Sequence, residues 1–239
     1  MTAESWIVMK PKTDCIIVAA GSGKRLGAKI PKAFILLGGM PMFMHSLLLF
    51  ARHNSIRRLI LVVPRNMIVQ TRRIIKKYSL KKELVIIAGG AHRWQSVKNG
   101  VEVSQAEWVM IHDSARPFVT RTIVDAVLTA SKKYDAVIAA TPEVDTVRKF
   151  KGDRAGETLD RNGLVRVQTP QLFRRARLIG AFKQAASLSS PPTDEAMLME
   201  AAGIPVGIAP GGPLNFKITT KEDFGMAEAL LKNKRKVKS

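Results

Sequence analysis

Short apolar runs recur along the chain at Cys15–Ala20, Leu59–Val63, Leu84–Ala88, Trp108–Ile111, Ala136–Ala140 and Pro205–Ala209. They are too short for helices and rich in Ile, Val and Ala, as strands buried on both faces are. Most of the intervals between them set apolar side chains three and four residues apart, the spacing of one helix face. Those intervals are Pro41–Arg52, Asn66–Tyr78, Arg93–Val103 and Thr120–Lys132, with later ones at Arg174–Ser187, Asp194–Ala202 and Lys221–Lys232. Strand alternating with helix predicts a Rossmann-like α/β fold, a mostly parallel sheet flanked by helices on both faces. Ligands in such sheets sit outside the carboxyl ends of the strands.

One stretch departs from the alternation. From Pro142 to Gln168 the chain reads as two extended arms around the turn Lys151-Gly152-Asp153, a β-hairpin inserted into the α/β pattern. An isolated hairpin cannot bury both of its faces, so this one is expected to pack on another subunit. No internal repeat interrupts the rest. The 239 residues are expected to form one domain, 1–239, with the arm inserted at about 142–168.

The first apolar run opens directly onto chemistry. Ile16 to Lys32 reads IIVAAGSGKRLGAKIPK, a strand followed by a glycine-rich turn that carries four cations, Lys24, Arg25, Lys29 and Lys32. Gly21 and Gly23 permit tight backbone whose N–H groups can face a ligand, and the cations can neutralise a polyphosphate. The dinucleotide fingerprint GxGxxG is excluded because Leu26 stands where it needs glycine. The Walker A loop is excluded because Val18 replaces its first glycine and Arg25 its magnesium-binding hydroxyl. An ordinary strand-to-helix turn with solvated lysines is the alternative. Lys32 is set apart because Pro31 stiffens the backbone before it.

Composition sharpens this picture only at some points. Hydrophobic content of 46% supports a sizeable core. The net charge of +20 draws polyanions, among them nucleotides, sugar phosphates and nucleic acid. Its densest cluster, Lys232 to Lys238, reads as a solvated helix end with a frayed tail. Cys15 is the only cysteine, so no intrachain disulfide forms, and a reducing cytoplasm is compatible. No apolar stretch is long enough to span a bilayer. The first dozen residues lack a signal peptide's features and read as a short leader.

Three further clusters fall at strand ends or in loops. Gly89 and Gly90 follow a strand, with Arg93 and Ser96 opening the next helix. This is either a plain β–α turn or a close approach to a planar ligand at a helix N-terminus. His112-Asp113-Ser114-Ala115-Arg116 follows another strand. Asp113 there can hold Mg²⁺ or a substrate hydroxyl, or pair with Arg116, while His112 is expected to bond backbone or pack. Lys217 lies within the apolar stretch Leu214–Thr219 and must either snorkel outward or face an anionic site. Thr220 with Asp223 forms a capping-box variant for the last helix.

Taken in order, AAGSGKRLG, PK, GGxxRxxSV, HDSARP, DT, DRNGL, QTPQ, TDEA and NFKIT resemble the 2-C-methyl-D-erythritol 4-phosphate cytidylyltransferases. The resemblance runs from about Thr13 to about Lys232. AAGxGxR alone is shared by many sugar nucleotidyltransferases, whereas the ordered set is much more specific. The resemblance implies the nucleotide-diphospho-sugar transferase type of fold and transfer of CMP from CTP to methylerythritol phosphate, in the non-mevalonate isoprenoid pathway. It assigns Arg25 and Lys32 to the CTP phosphates and the transition state. Ala19, Ala20, Gly21 and Gly23 match the loop around the nucleotide, and Gly90 and Ser96 the cytosine segment. Asp113 and Ser114 match positions near the sugar and the second substrate. Thr146 and Arg161 lie on the arm, which in the family reaches into the neighbouring subunit of a homodimer. Thr169, Thr193 and Lys217 match further substrate contacts, with catalytic roles for Arg161 and Lys217. A divalent metal, usually Mg²⁺, accompanies CTP, with Asp113 the candidate ligand. Ala33 and Ala91 depart from the Gln and Asp found in relatives. A ribitol-5-phosphate cytidylyltransferase shares much of the pattern, but AAG in the loop and DRNGL in the arm favour methylerythritol phosphate. The basic charge suggests a nucleic-acid-binding protein as the rival from another class, and no aromatic-rich RNA motif or zinc spacing supports it.

Overall fold

The computed structural model describes residues 12–21, 23, 30–184 and 191–236. In chain order its elements are β1 (Thr13–Val18), β2 (Leu36–Leu37), β3 (Met40–Pro41), α1 (Met42–Ala51), β4 (Ile56–Val63), α2 (Ile68–Ile75), β5 (Leu84–Ala88), α3 (Arg93–Val103), β6 (Trp108–Asp113), α4 (Arg121–Ala130), β7 (Ala136–Pro142), β8 (Val147–Lys151), β9 (Arg154–Leu159), β10 (Val165–Arg174), α5 (Arg175–Gln184), α6 (Glu195–Ala201), β11 (Val206–Pro210) and α7 (Lys221–Lys236). Seven strands form one sheet in the order β11-β7-β10-β6-β1-β4-β5. Every neighbouring pair is parallel except those made by β10, which runs antiparallel to both β6 and β7.

Alternation along the central strands feeds two cores. Cys15 and Ile17 of β1, with Leu59, Leu61 and Met110, face α1 and α4. Ile16, Ile60, Val62, Val109 and Ile111 point the other way, towards α3, α5 and α6. The sheet is thus covered on both sides, which is why the middles of β1, β4 and β6 are continuous apolar runs, with polar residues confined to their ends. A third cluster, built on Leu37, Met42, Phe118 and Ile218, seats α7.

Two strands begin earlier than their apolar runs. β1 starts at Thr13 and β4 at Ile56, although Asp14, Arg57 and Arg58 look like exposed flanks. Asp14 is fully buried. It accepts hydrogen bonds from Arg57 Nε and Nη2 (3.1 and 3.0 Å), Arg58 Nη2 (3.2 Å) and Ser104 Oγ (2.8 Å). Pairing carries these charges into the sheet. In the main sheet, the strand that patterning marks only in part is β10: the second extended arm takes in Val165 to Gln168, but not the continuation to Arg174. Pro170 reads as a strand breaker, but it falls where the pairing with β7 shifts register between Gln168 and Gln171, the kind of irregularity at which a sheet admits proline.

The arm forms as a hairpin of β8 and β9, turning at Gly152 with φ +62°. Its second extended segment is divided. β9 stops at Leu159, a 3₁₀ turn covers Arg161–Gly163, and β10 then begins. Asp160 caps that turn by accepting from the Asn162 N–H at 3.0 Å.

Candidate active site

Because β1, β4, β5 and β6 are parallel, their carboxyl ends deliver the loops after Val18, Ala88 and Asp113 to one edge of the sheet. Ala19 is tied down by donating its N–H to Val62 O at 2.8 Å. Gly23 has φ +72°, and a Cβ on it would lie 2.7 Å from Lys32 Cβ. The turn therefore has to be glycine for Lys32 to come this close. A Cβ on Gly89 would fall 2.5 Å from Ala20 Cβ and 2.7 Å from Ser96 Oγ. That absence of a side chain lets the second loop close against the first. Ser96 Oγ accepts from the Gly90 N–H at 3.1 Å, and Gln95 Oε1 accepts from the His92 N–H at 2.9 Å at the start of α3.

These loops enclose a cavity of about 490 Å³. Of the residues expected at the nucleotide, Ala19, Ala20, Gly21 and Gly23 form one wall, Ser96, Asp113 and Ser114 another, and Lys32 and Lys217 bring positive charge. Gly90 is exposed and does not line the cavity; its N–H meets it only through Ser96. Lys32 Nζ donates to Ile218 O at 2.7 Å, so this lysine is steadied by the segment that carries Lys217. Arg25 lies outside the described residues.

Asp113 is the hub. Arg93 Nε donates to its Oδ1 at 2.9 Å and Lys217 Nζ to its Oδ2 at 2.6 Å. Burial pushes the Asp113 carboxyl up, but the charges of Arg93 and Lys217 outweigh this and hold it well below the usual carboxylate range. Arg93 Nη1 continues the chain, donating to both oxygens of Glu195 at 2.9 Å each. Arg116 does not pair with Asp113; it donates to the carbonyls of Asn215 (2.8 Å) and Val167 (3.2 Å). His112 is fully buried, with Nε2 bonded to Arg116 O and Nδ1 to Thr169 Oγ1. Burial pushes its pKa down to about 4.

On the other side of this hub lies a second cavity of about 450 Å³. Thr169, Thr193, Gln168 and Gln171 line it, and it shares Arg93, Asp113 and Lys217 with the first. Arg116, Asp194 and Glu200 complete its polar lining, and cations for a phosphate beside hydroxyls, amides and carboxylates for hydroxyl groups suit a phosphorylated polyol. The family model for 2-C-methyl-D-erythritol 4-phosphate cytidylyltransferase matches residues 14–233. The chain belongs to this family. Similar relatives of that name include one from Syntrophus aciditrophicus (strain SB), 43% identical over 94% of this chain and 97% of its own. Another, from Bacillus mycoides (strain KBAB4), is 40% identical over 92% of this chain and 98% of its own. Among solved structures, 4-diphosphocytidyl-2C-methyl-D-erythritol synthase from Anaerococcus prevotii superposes with a TM-score of 0.81 at 28% identity, covering 94% of this chain and all of that one. The 2-C-methyl-D-erythritol 4-phosphate cytidylyltransferase from Thermus thermophilus gives 0.77 at 31% identity, with 94% and 100% covered.

Two residues that the cytidylyltransferase motifs assign to the site are not brought to it within one chain. Thr146 and Arg161 line a separate depression of about 410 Å³ on the arm, with Arg161 Nη1 donating to Val144 O at 2.7 Å. The metal expected at Asp113 meets an unfavourable donor set. Among the described residues Asp113 is the only carboxylate lining the first cavity, and each of its oxygens already accepts from a cation. No cluster of three or more His, Cys, Asp or Glu side chains able to hold a metal occurs among the described residues. The described side chains do not fit a divalent ion held by protein ligands. Patterning reads Arg93 only as a helix start and gives Glu195 no role. The one available signal was Arg93's place three residues after the double glycine, whereas a glutamate in a helix's first turn is ordinary enough to pass unnoticed.

Proposed function

We propose that this chain transfers CMP from CTP to 2-C-methyl-D-erythritol 4-phosphate, giving 4-diphosphocytidyl-2-C-methyl-D-erythritol and pyrophosphate, a step of the non-mevalonate isoprenoid pathway. The observation that carries the reading is the pair of cavities meeting at one wall of Arg93, Asp113 and Lys217. CTP occupies the cavity of the glycine turn, and the phosphorylated polyol the cavity of Thr169 and Thr193. A phosphate oxygen of the acceptor attacks the α-phosphorus, its bond to that oxygen forms, and the bond to the β-phosphate oxygen breaks in line. The nucleophile is already anionic, so no general base is called for. His112 suits this: it is buried, neutral at pH 7 and committed to Thr169 and a carbonyl. The work is electrostatic: Lys32 and Lys217, with Arg25 by family pattern, offset the charge that two polyanions concentrate at the reacting phosphorus.

Mg²⁺ is expected to enter on the phosphate oxygens of CTP, in keeping with the lack of a protein cage among the described residues. The whole chain acts as one catalytic unit with the arm as an insertion. Thr146 and Arg161 serve the site of a twin subunit in a homodimer, which accounts for their distance from their own cavities and for Phe150 standing 81% exposed on the arm. No described helix is long and apolar enough to cross a membrane. A cytoplasmic location is inferred from the use of CTP and the lone, buried Cys15 thiol. The test is pyrophosphate release with CTP and methylerythritol phosphate, with ATP, GTP and UTP as nucleotide controls and ribitol 5-phosphate as the alternative acceptor. Release only with CTP and methylerythritol phosphate is the expected result. A preference for ribitol 5-phosphate, or none for CTP, overturns the reading.

A further inference from the structure

Among the described cations, Arg93 and Lys217 border both cavities, and of the two only Arg93 lacks a role assigned by the motifs. Its guanidinium is held from two sides. Nε is fixed on Asp113 Oδ1, and Nη1 is forked onto both oxygens of Glu195. Nη2 makes no hydrogen bond to the described residues and is not among their buried unpartnered atoms. Glu195 itself is completely buried in the first turn of α6, where an ionised carboxylate is costly unless a cation answers it. The four groups Glu195, Arg93, Asp113 and Lys217 alternate in sign along one line of contacts. Two carboxylates therefore spend much of Arg93's charge, so its value lies in where its remaining donors point.

We propose that Glu195 is a positioning residue that clamps Arg93 so that Nη2 is presented as a fixed donor at the seam of the two cavities, where the acceptor phosphate meets the α-phosphate. This rests on the cytidylyl-transfer reading given above. The groups facing Glu195 are Arg93, Asp113 and Asp194. Burial and the two neighbouring aspartates push its pKa up, Arg93 pulls it down, and the balance leaves it near 7. The clamp is consequently loosened by protonation close to neutral pH.

The experiment compares wild type, Glu195→Gln, Arg93→Lys and the double variant between pH 5.5 and pH 8.5. Glu195→Gln keeps the volume and imitates the protonated state. Its kcat is expected to fall about ten- to a hundredfold, up to the scale of a 1 Å misplacement at a reacting centre, with KM for CTP little changed. The wild-type kcat should decline as pH drops through about 7; the Glu195→Gln profile should lack that step and keep only the titration of the substrate phosphates near about 6. Arg93→Lys keeps the charge and loses the fork. Glu195→Gln should add nothing to it, because both act through one donor. Superimposable pH profiles, or losses that add in the double variant, overturn the proposal. If Glu195→Gln fails to fold, Glu195→Asp, too short to clamp Nη1, takes its place with the same expected drop. Wild type that releases no pyrophosphate at any pH would instead count against the substrate reading. In that case CTP binding measured by calorimetry over the same pH range decides the clamp, which fails if wild type and variant respond alike.

Discussion

Lys32 enters the cavity beside a glycine turn that exists to let it in. Lys32→Ala is expected to lower kcat at least ~100-fold, the scale of losing one preorganised donor, with its melting temperature near that of wild type. Gly89→Ala should act differently. Its Cβ would collide with Ala20 and Ser96, so both loops must part, and KM for CTP should rise more than kcat falls. Buried titratable groups give a pH signature of opposing signs. His112 is depressed to about 4. Between about 6.5 and 4 the unfolded chain therefore holds a proton that the native state lacks, and stability is lost as pH falls. Glu195 is raised to about 7. Between its ordinary value and 7 the native state keeps a proton that the unfolded chain has released, so stability is lost as pH rises. The two partly cancel. In Glu195→Gln only the histidine remains, so its melting temperature should drop more steeply than that of wild type on acidification from pH 6.5 to pH 4.5. Parallel melting curves would contradict this assignment.

At the scale of elements, strand and helix identities were legible wherever periodicity alone decides them. β5 and α3 span the residues that their apolar patterns mark. Reading failed where partners decide. Asp14, Arg57 and Arg58 enter strands because each finds its counter-charge in a different segment, which no local window contains. The continuation of β10 beyond Gln168 was hidden by Pro170, and Glu195 by looking like any first-turn acid. The glycine turn, the strand-end Asp113 and Lys217 were readable because glycine, carboxylate and lysine at those places have few structural alternatives. The Asp14 network stands at the amino-terminal end of β1, away from the cavities. Asp14→Asn leaves the buried Arg58 with only the exposed Glu83 as counter-charge, while Arg57 stays partly in water, and is expected to cost about 3 kcal/mol in stability. The enzyme that remains folded should turn over normally, as measured by denaturant melts beside active-site-normalised kcat.

For the whole molecule, a net charge of +20 should assist capture of CTP. KM for CTP is expected to rise several-fold between ~0.05 M and ~0.5 M salt while kcat changes little. Shared sites are open to a mixing test. If the chain forms the homodimer proposed above, Lys32→Ala damages the core and Arg161→Ala the arm, and each homodimer is defective at both sites. A mixed dimer keeps one intact site, and equal, freely exchanging mixtures should recover about a quarter of wild-type activity. No recovery on exchange would mean that each chain completes its own site. β10 adds a mechanical side to this. It leaves the foot of the arm at Val165 and runs without a loop past Thr169 into the middle of the sheet, ending at Arg174. The arm and the strand that carries Thr169 along the second cavity are thus one ribbon. If the arm docks on a twin as proposed, a subunit whose arm is not moored would hold its own acceptor on an untethered strap, and separating the twins should blunt each pocket from within as well as strip it of borrowed side chains.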